Sequence, residues 1–212
     1  MALHVLFRDS GVAVVDKPAG LPVEADSDES VVAVAARELG PPGGRAWPRV
    51  VHRLDRGTSG CLALALTRRA EAALVQAFDE GEVEKEYLAL VRGSPPAEGS
   101  CDTAYGPDPK DRRRFTTRIE TPRRARLRFR IEEQHGPLTL LRVVLDTGRT
   151  HQIRVQLSEG GWPVVGDDVY GVPGPRLMLH AERLAFPLDG VKIACVAPVP
   201  PEFQAAVRNA SS

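Results

Sequence analysis

The chain carries one strictly alternating stretch of apolar and basic residues, ARLRFRI at residues 125–131. In an extended strand, successive side chains point to opposite faces, so the apolar residues share one face and the three arginines share the other. The pattern therefore predicts a half-buried strand with an arginine face.

Other strands are predicted from apolar runs that end at turn residues. They are VAVVD before the turn KPAG, CLALALT, KEYLALVRG, LTLLRVVLDT, LMLHAERLAF and VKIACVAP. Strands mixed with a few helices predict an α+β fold. A length of 212 residues fits one domain, or one domain split into two lobes around a cleft.

Helices are predicted from apolar residues that repeat at three- and four-residue spacing. The predicted helices are RRAEAALVQAFDEG, ended by Gly81, a shorter helix over Val31–Leu39, and one over 149–159 in GRTHQIRVQLSEGG. In the last helix, His151 and Arg154 are three residues apart and would share a face.

The charge distribution is uneven although the net charge is zero. Residues 110–130 contain ten basic and two acidic residues, so this segment carries +8 and the remainder of the chain carries −8. Nine of the ten basic residues are arginine, whose guanidinium group makes forked contacts with phosphate. The segment is either an ordinary solvated face or a surface that contacts a nucleic acid, and charge alone leaves both readings open.

Several classes of protein are disfavoured by composition and motif spacing. No basic stretch precedes a long apolar core at the N-terminus, so we expect neither a signal peptide nor a transmembrane segment. Three widely spaced cysteines favour a reducing cytoplasm over a disulfide framework. Metal-ligand spacing and glycine-rich nucleotide loops are absent, and GTSG lacks the spacing of a hydrolase nucleophile elbow.

The segment VVHRLDRGTSG, residues 50–60, places Asp55 between apolar residues and arginines. Such a carboxylate is expected to be partly buried and to need a cation or hydrogen-bond donors to remain ionised. Arg53 and Arg56 are local candidates for that cation, and Arg154 is a distant one. From these residues alone a structural ion pair is favoured, and a catalytic role, for example as a nucleophile, stays open.

Five motifs in order change this balance: HRLDRGTSG, KEYLALVRG, TGRTHQIRVQL, VVGDDVYG and LMLHAERLAF. Together with the leading VVDKPAGLPV, they resemble the RluA family of pseudouridine synthases from about residue 10 to residue 203. The resemblance implies the pseudouridine synthase fold, a mixed and mostly antiparallel sheet in two lobes flanked by helices, with a catalytic cleft between them. It also implies isomerisation of a uridine already inside an RNA chain, without a metal or organic cofactor.

The resemblance assigns roles to individual residues. It implies that Asp55 is the catalytic residue, that Tyr87 lines the pocket under the base, and that Arg154 forms a salt bridge with Asp55. Arg53 corresponds to an arginine that meets the RNA. The target uridine must leave its stack to reach such a pocket, so base flipping is expected.

RNA binding is expected from the basic segment, and above all from Arg112, Arg113 and Arg114. Arg149, His151 and Gln152 either contact RNA or brace their loop. A catalytically inactive RNA-binding protein or RNA chaperone of the same fold is the alternative function. Retention of Asp55, Tyr87 and Arg154 argues against that alternative.

The remaining expectations concern organisation and supporting residues. We expect one catalytic domain over residues 1–212 with no N-terminal RNA-binding domain, acting as a cytoplasmic monomer on ribosomal or transfer RNA. The sequence departs from the family pattern at Thr67, Gln156 and Trp162. The other residues of note have expected structural roles: His52 as loop support, Gly166–Asp168 as a turn, His180 in the core, and Trp47 and Trp162 in the core or at its rim.

Overall fold

The computed structural model describes residues 2–25, 28–40 and 48–209. The chain divides into two compact units, which confirms the two lobes predicted from the sequence. The first unit comprises Met1–Lys85 and Ala181–Pro198, and the second comprises Glu86–His180 and Val199–Ser212. The prediction for Trp47 lies outside the described residues.

Within the described residues, the chain forms twelve strands and four helices. The strands are β1 (His4–Arg8), β2 (Val12–Lys17), β3 (Arg49–Val50), β4 (Ser59–Ala65), β5 (Glu84–Arg92), β6 (Glu98–Ala104), β7 (Gly106–Pro107), β8 (Phe115–Thr116), β9 (Arg124–His135), β10 (Leu138–Leu145), β11 (Leu179–Leu188) and β12 (Val191–Val196). The helices are α1 (Val31–Leu39), α2 (Arg68–Asp79), α3 (Gln152–Glu159) and α4 (Pro201–Asn209). This is the predicted α+β class, with few helices beside many antiparallel strands.

The first unit is built on a sheet in which β2 and β4 are central. Its strands pair in the order β1–β2–β4–β11, with β12 beside β11 and β3 beside β4. Every residue of β4 is buried, as its continuous apolar run predicts. Helix α2 packs Leu74 and its neighbours against this sheet, in one cluster with Ala63 and Phe186.

Helix α2 begins at a residue that departs from the family pattern. The side chain of Thr67 accepts a hydrogen bond from the amide of Ala70 at 3.2 Å and so caps the first turn. Gly81 follows the helix with a φ of 76°, a left-handed conformation that suits glycine. The departure at residue 67 is therefore explained locally, by a threonine that serves as the N-cap.

The second unit is built on the antiparallel strands β5, β10, β9 and β6, in that order. On β9, Ala125, Leu127 and Phe129 are buried while the intervening arginines are exposed, which confirms the predicted alternation. Phe129 also contacts the ring of Trp162 edge-on, with 5.7 Å between ring centroids.

A short hairpin joins β6 to β9, and the sequence patterns did not predict it. Strands β7 and β8 contain two residues each, and the amide of Asp108 donates to the carbonyl of Arg114 at 2.9 Å to close the intervening turn. Residues 106–116, named here the basic hairpin, contain four basic and two acidic residues. The hairpin presents Arg112 and Arg113 to solvent.

Helix α3 begins later than predicted. It starts at Gln152, and His151 lies outside it as the N-cap residue with a φ of 58°. The prediction that a helix over 149–159 puts His151 and Arg154 on one helical face is therefore wrong. None of the described helices combines the length and apolar character needed to span a membrane.

Candidate active site

Asp55, the residue expected to be catalytic, lies directly before β4 in residues 51–58, which are named here the catalytic loop after that expectation. Its carbonyl accepts a hydrogen bond from the amide of Thr58 at 3.0 Å, which closes a turn. Leu54 is buried and anchors the loop, whereas Asp55 is half-buried and Arg53 is exposed. The loop thus holds Leu54 inward and leaves Asp55 partly accessible.

His52 holds the start of the catalytic loop against β4. The β3–β4 pairing ends at Val50, opposite Leu64, and the Nε2 atom of His52 then accepts a hydrogen bond from the amide of Ala63 at 2.9 Å. The imidazole also stacks on Phe78, with 4.8 Å between centroids. Burial, together with the charge of Lys85, lowers the pKa of His52 to about 3. His52 is therefore neutral at physiological pH and acts as the loop support that the sequence predicts.

Lys17 holds the other end of the catalytic loop. Its side chain is fully buried, and its ammonium group donates to the carbonyls of Pro18, Leu21 and Arg56 at 2.9, 2.7 and 3.1 Å. A buried ammonium requires such acceptors because it has given up its hydration. Arg56 is tied further by bonds in both directions with the backbone of Gly20. Asp55 therefore sits between two fixed points of the chain.

Gly60 shows why the motif following Asp55 requires glycine. Its φ is 113°, and a Cβ atom added there would lie 2.2 Å from the carbonyl oxygen of Ala181. Such a contact with backbone cannot be relieved by rotating a side chain, so β4 and β11 approach each other only because residue 60 has none.

Arg154 makes a buried two-pronged ion pair with Asp167. Its Nε and Nη2 atoms donate to the two carboxylate oxygens, each at 2.8 Å, and the Asp167 side chain is fully buried. The amides of Val169 and Tyr170 also donate to Asp167, both at 2.9 Å. Burial by itself would raise the pKa of Asp167, but the bonds and charge of Arg154, with the two amides, lower it below the ordinary value.

The sequence identified Arg154 but missed Asp167 as its partner. Gly166–Asp168 was expected to form a turn, and Gly166 does have a φ of 76°. The available signal was Asp167 itself: an acidic residue among the apolar residues of VVGDDVYG indicates a buried charge, and a buried charge needs a cation. The predicted salt bridge between Arg154 and Asp55 stays a prediction.

Tyr87 lies on β5 opposite Val143 of β10, and its side chain is buried. The strand predicted over KEYLALVRG is confirmed and carries the tyrosine at the predicted place. Tyr87 belongs to the second unit with Arg154, and Asp55 belongs to the first.

The arginines of the basic segment differ in how closely acidic residues pair with them. Three arginines on β9 already have acidic partners: Arg124 with Asp102, Arg128 with Asp146, and Arg130 with Glu132, at 2.8, 2.9 and 2.7 Å. In the basic hairpin, Arg112 and Arg113 are exposed, and the guanidinium of Arg113 lies 3.4 Å from Asp111 of its own turn. The basic hairpin is therefore one exposed group of positive charges suited to a phosphate backbone, and Arg118, Arg123 and Arg126 of the same segment are exposed as well.

The residues around the start of α3 brace one another. The side-chain oxygen of Gln152 accepts from Thr147 and from the amide of Arg149, and its nitrogen donates to the carbonyl of Arg126, at 2.8, 3.0 and 3.0 Å. Gln152 is buried, and Arg149 donates to the carbonyl of Arg124 at 3.3 Å. These contacts favour bracing over RNA contact for Gln152.

Two further histidines of the second unit lie beside aromatic rings. His151 bonds through Nδ1 to the hydroxyl of Tyr170 at 3.0 Å. His180 is fully buried and lies beside the ring of Phe203, as expected of a core histidine. Across residues 2–25, 28–40 and 48–209, no three side chains of the metal-binding types cluster closely enough to hold an ion.

Comparisons with known proteins agree on one family. A family model described as RNA pseudouridylate synthase matches residues 11–159. Ribosomal large subunit pseudouridine synthase D of Xanthomonas campestris pv. campestris is 38% identical, over 95% of this chain and 67% of its own. An uncharacterized RNA pseudouridine synthase of Zymomonas mobilis is 37% identical over 96% of both chains. The structure of human RNA Pseudouridylate Synthase Domain Containing 1 matches with a TM-score of 0.83 and 29% identity, over 96% of this chain and 86% of that one.

The curated relatives differ in length. The chain spans 55% of one relative, 67% of another and 96% of a third. What the longer relatives act on therefore bears on this chain only as a source of hypotheses.

Proposed function

The chain belongs to the RNA pseudouridylate synthase family, and on that basis we propose that it converts specific uridines of ribosomal or transfer RNA into pseudouridine. The observation that carries the proposal is the family match over residues 11–159, a range that contains Asp55, Tyr87 and Arg154. Several curated relatives are named for the large ribosomal subunit, so ribosomal RNA is the first substrate to test.

The proposed reaction is an isomerisation within the RNA. The bond between C1′ of the ribose and N1 of the uracil breaks, the base turns, and C1′ bonds to C5 instead. The proton on C5 leaves to solvent and N1 takes up a proton, so atoms and electrons balance without an oxidant or a co-substrate.

We assign three catalytic roles. The carboxylate of Asp55 acts as nucleophile or base on the flipped-out nucleotide. Tyr87 lies under the base and its hydroxyl moves a proton. Arg154 supplies the positive charge that an ionised catalytic carboxylate requires.

The construction of the catalytic loop supports the assignment of Asp55. Lys17 and His52 fix the loop at both ends through hydrogen bonds of 2.7–3.1 Å, and Leu54 is buried next to the carboxylate. A reactive group held in place before substrate binds loses little conformational entropy in the transition state. A loop that merely connected two strands would not require a buried lysine.

For RNA binding we assign Arg53 and the three arginines of the basic hairpin, Arg112, Arg113 and Arg114. Phosphate contacts release counterions, so each one steepens the fall of affinity with salt by about 0.7 for single-stranded RNA. Arg149 and Gln152 are assigned to bracing the start of α3, since their bonds are made within the protein.

The activity is tested by incubating the protein with unmodified ribosomal and transfer RNA transcripts and mapping pseudouridine by carbodiimide treatment and primer extension. Wild type should produce specific stops, and Asp55→Asn should produce none while melting as wild type does. Asp79→Asn makes the same chemical change at an exposed residue of the first unit and serves as the matched control. RNA binding without any product from wild type would favour the inactive RNA-binding protein instead.

The RNA-binding assignment is tested by the salt dependence of RNA affinity. Arg112→Gln/Arg113→Gln should flatten the slope of log affinity against log salt by about 1.4. Arg128→Gln/Arg130→Gln removes the same charge from arginines whose acidic partners lie at 2.9 and 2.7 Å, closer than the 3.4 Å between Arg113 and Asp111, so it should change the slope less. Equal slopes for the two double variants would remove the basic hairpin from the RNA interface.

A further inference from the structure

Tyr170, outside the catalytic residues assigned above, contacts both the basic hairpin and the start of α3. Its hydroxyl oxygen accepts a hydrogen bond from the amide of Phe115 in β8 at 2.9 Å. The same hydroxyl bonds to Nδ1 of His151 at 3.0 Å. Burial raises the pKa of Tyr170, so the hydroxyl keeps its proton at neutral pH.

The ring of Tyr170 lies against two guanidinium groups. The guanidinium carbon of Arg114 is 5.0 Å from the ring centroid, and that of Arg154 is 5.3 Å from it. A cation at this distance from an aromatic face is attracted by the ring quadrupole. One ring therefore contacts an arginine assigned to RNA and an arginine assigned to catalysis.

The backbone of Tyr170 is itself fixed. Its amide donates to Oδ1 of Asp167 at 2.9 Å, and its carbonyl accepts from the hydroxyl of Ser158 at 2.6 Å. Asp167 is the ion-pair partner of Arg154. A shift of Tyr170 would therefore disturb Asp167 and, with it, the position of Arg154.

The basic hairpin needs contacts with other residues because it is too short to be stable alone. Its two strands have two residues each, far fewer than an isolated hairpin needs for stability. The hairpin is held by Glu159, which accepts from the hydroxyl of Thr116 at 2.7 Å and from the amide of Thr117 at 3.1 Å, and by Tyr170. Of these two anchors, Tyr170 is the one that also contacts Arg154.

We propose that Tyr170 is a positioning residue that joins the basic hairpin to the Arg154–Asp167 ion pair, so that RNA held by the hairpin and the arginine assigned to catalysis keep a fixed relative position. The proposal rests on the function proposed above. The hydroxyl and the ring can be tested in turn. The hydroxyl bonds to the Phe115 amide of the hairpin and to His151, whereas the ring lies against Arg154 and against Arg114 of the hairpin.

Tyr170→Phe tests the hydroxyl. It keeps the ring against Arg154 and removes the acceptor of the Phe115 amide, so hydrogen exchange at Phe115 should accelerate by about threefold to tenfold, the equivalent of one hydrogen bond. The KM for RNA should rise by a similar factor, about threefold to tenfold, while kcat stays within about twofold of wild type. Tyr170→Leu also removes the ring, and kcat should then fall by about tenfold or more.

Tyr105→Phe is the matched control. Tyr105 is buried in the same cluster and its hydroxyl donates to the carbonyl of Thr150 at 2.6 Å. It therefore loses one buried hydroxyl bond without touching the Phe115 amide. It should leave exchange at Phe115 and the KM for RNA as in wild type, even where it lowers the melting temperature.

Three outcomes would overturn the proposal. They are a Phe115 amide that exchanges freely in wild type, a Tyr105→Phe variant that matches Tyr170→Phe in every readout, and a Tyr170→Phe variant with an unchanged KM. Hydrogen exchange at Phe115 and RNA affinity can both be measured without catalytic turnover. If wild type makes no pseudouridine, the proposed function fails while the anchoring of the hairpin by Tyr170 is still decided by these two measurements.

Discussion

Replacing Asp167 with asparagine should destabilise the protein by about 3 kcal/mol, because the buried guanidinium of Arg154 loses the carboxylate that it contacts through two nitrogens at 2.8 Å. The Asp167 side chain is fully buried and that of Arg154 is 7% exposed, so water cannot replace the lost partner. Oδ1 receives three donors, so the asparagine oxygen would take that position and its amino group would face Nε of Arg154. Two hydrogen-bond donors, the asparagine amino group and Nε of Arg154, would then face each other.

The magnitude follows from measured classes of interaction. Breaking a buried pair costs about 3–5 kcal/mol, and asparagine, which keeps the shape and one acceptor, belongs at the lower end. For a chain of this length each kcal/mol lowers the melting temperature by about 2–4 °C, so we expect a fall of about 6–12 °C. Thermal and urea unfolding at pH 7 measure both quantities.

Asp168→Asn provides the control. That side chain is 76% exposed and its closest approach to Arg154 is 3.4 Å, so its contribution should be below about 1 kcal/mol. If Asp167→Asn cost no more than Asp168→Asn, the two-pronged pair would not stabilise the fold and the reasoning about its burial would be refuted.

The same comparison has a predicted pH dependence. Folding lowers the pKa of Asp167, so its carboxylate stabilises the native state above the ordinary aspartate pKa of about 3.9, and this is lost as pH falls through the lowered native value. Asparagine does not titrate. The stability gap between wild type and Asp167→Asn should therefore be constant at neutral pH and narrow below about pH 4.

Three further substitutions test the supports of the catalytic loop. Lys17→Met should cost about 3 kcal/mol by urea unfolding, because the carbonyls of Pro18 and Leu21 lose the Lys17 donor and that of Arg56 keeps only the Gly20 amide. It should also slow turnover by loosening the loop, and unchanged turnover would separate Lys17 from Asp55. His52→Phe keeps the stacked ring but leaves the Ala63 amide unpaired, so stability should fall by about 1–3 kcal/mol while the pH profile of turnover between 5 and 8 keeps its shape; an altered profile would make His52 a proton carrier. Gly60→Ala should lower the melting temperature more than Gly81→Ala, whose added Cβ meets nothing within 4 Å.

The elements that could be predicted from sequence are those whose burial imposes a period. The alternation over residues 125–131 indicates a strand buried on one face, and the continuous apolar run in β4 indicates a strand buried throughout. Helix α1 is confirmed at its predicted bounds, Val31–Leu39. The family and the fold class that the motifs imply are confirmed as well. Motifs in a fixed order identify a family even where the hydrophobic periodicity of a segment is too weak to predict its structure.

The features that could not be predicted depend on contacts between distant residues. Strands β7 and β8 are too short to show any period, and their position is set by Glu159 and Tyr170. In the sequence, Lys17 at the end of a strand resembles an ordinary solvated lysine. Its buried role is visible only in the structure, where its ammonium group donates to the carbonyl of the distant Arg56. His151 fits a helical pattern in sequence, but its backbone is left-handed, and α3 starts at Gln152, three residues after the predicted start at 149.

The +8 segment shows the same limit for function. Counting charge treats all ten basic residues alike, whereas the structure pairs three of the strand arginines with acids from other parts of the second unit or from the strand itself. Which arginines remain to meet a phosphate depends on the position of those acids, and sequence does not give it.

The most direct test of the central claim is the release of tritium from RNA that carries [5-³H]uridine, because forming a bond at C5 must expel the hydrogen there. Wild type should release tritium in proportion to the pseudouridine formed, and folded Asp55→Asn should release none above background. Tritium release by Asp55→Asn at the wild-type rate would contradict the assignment of Asp55. The absence of release by wild type from both ribosomal and transfer RNA would contradict the proposed function itself.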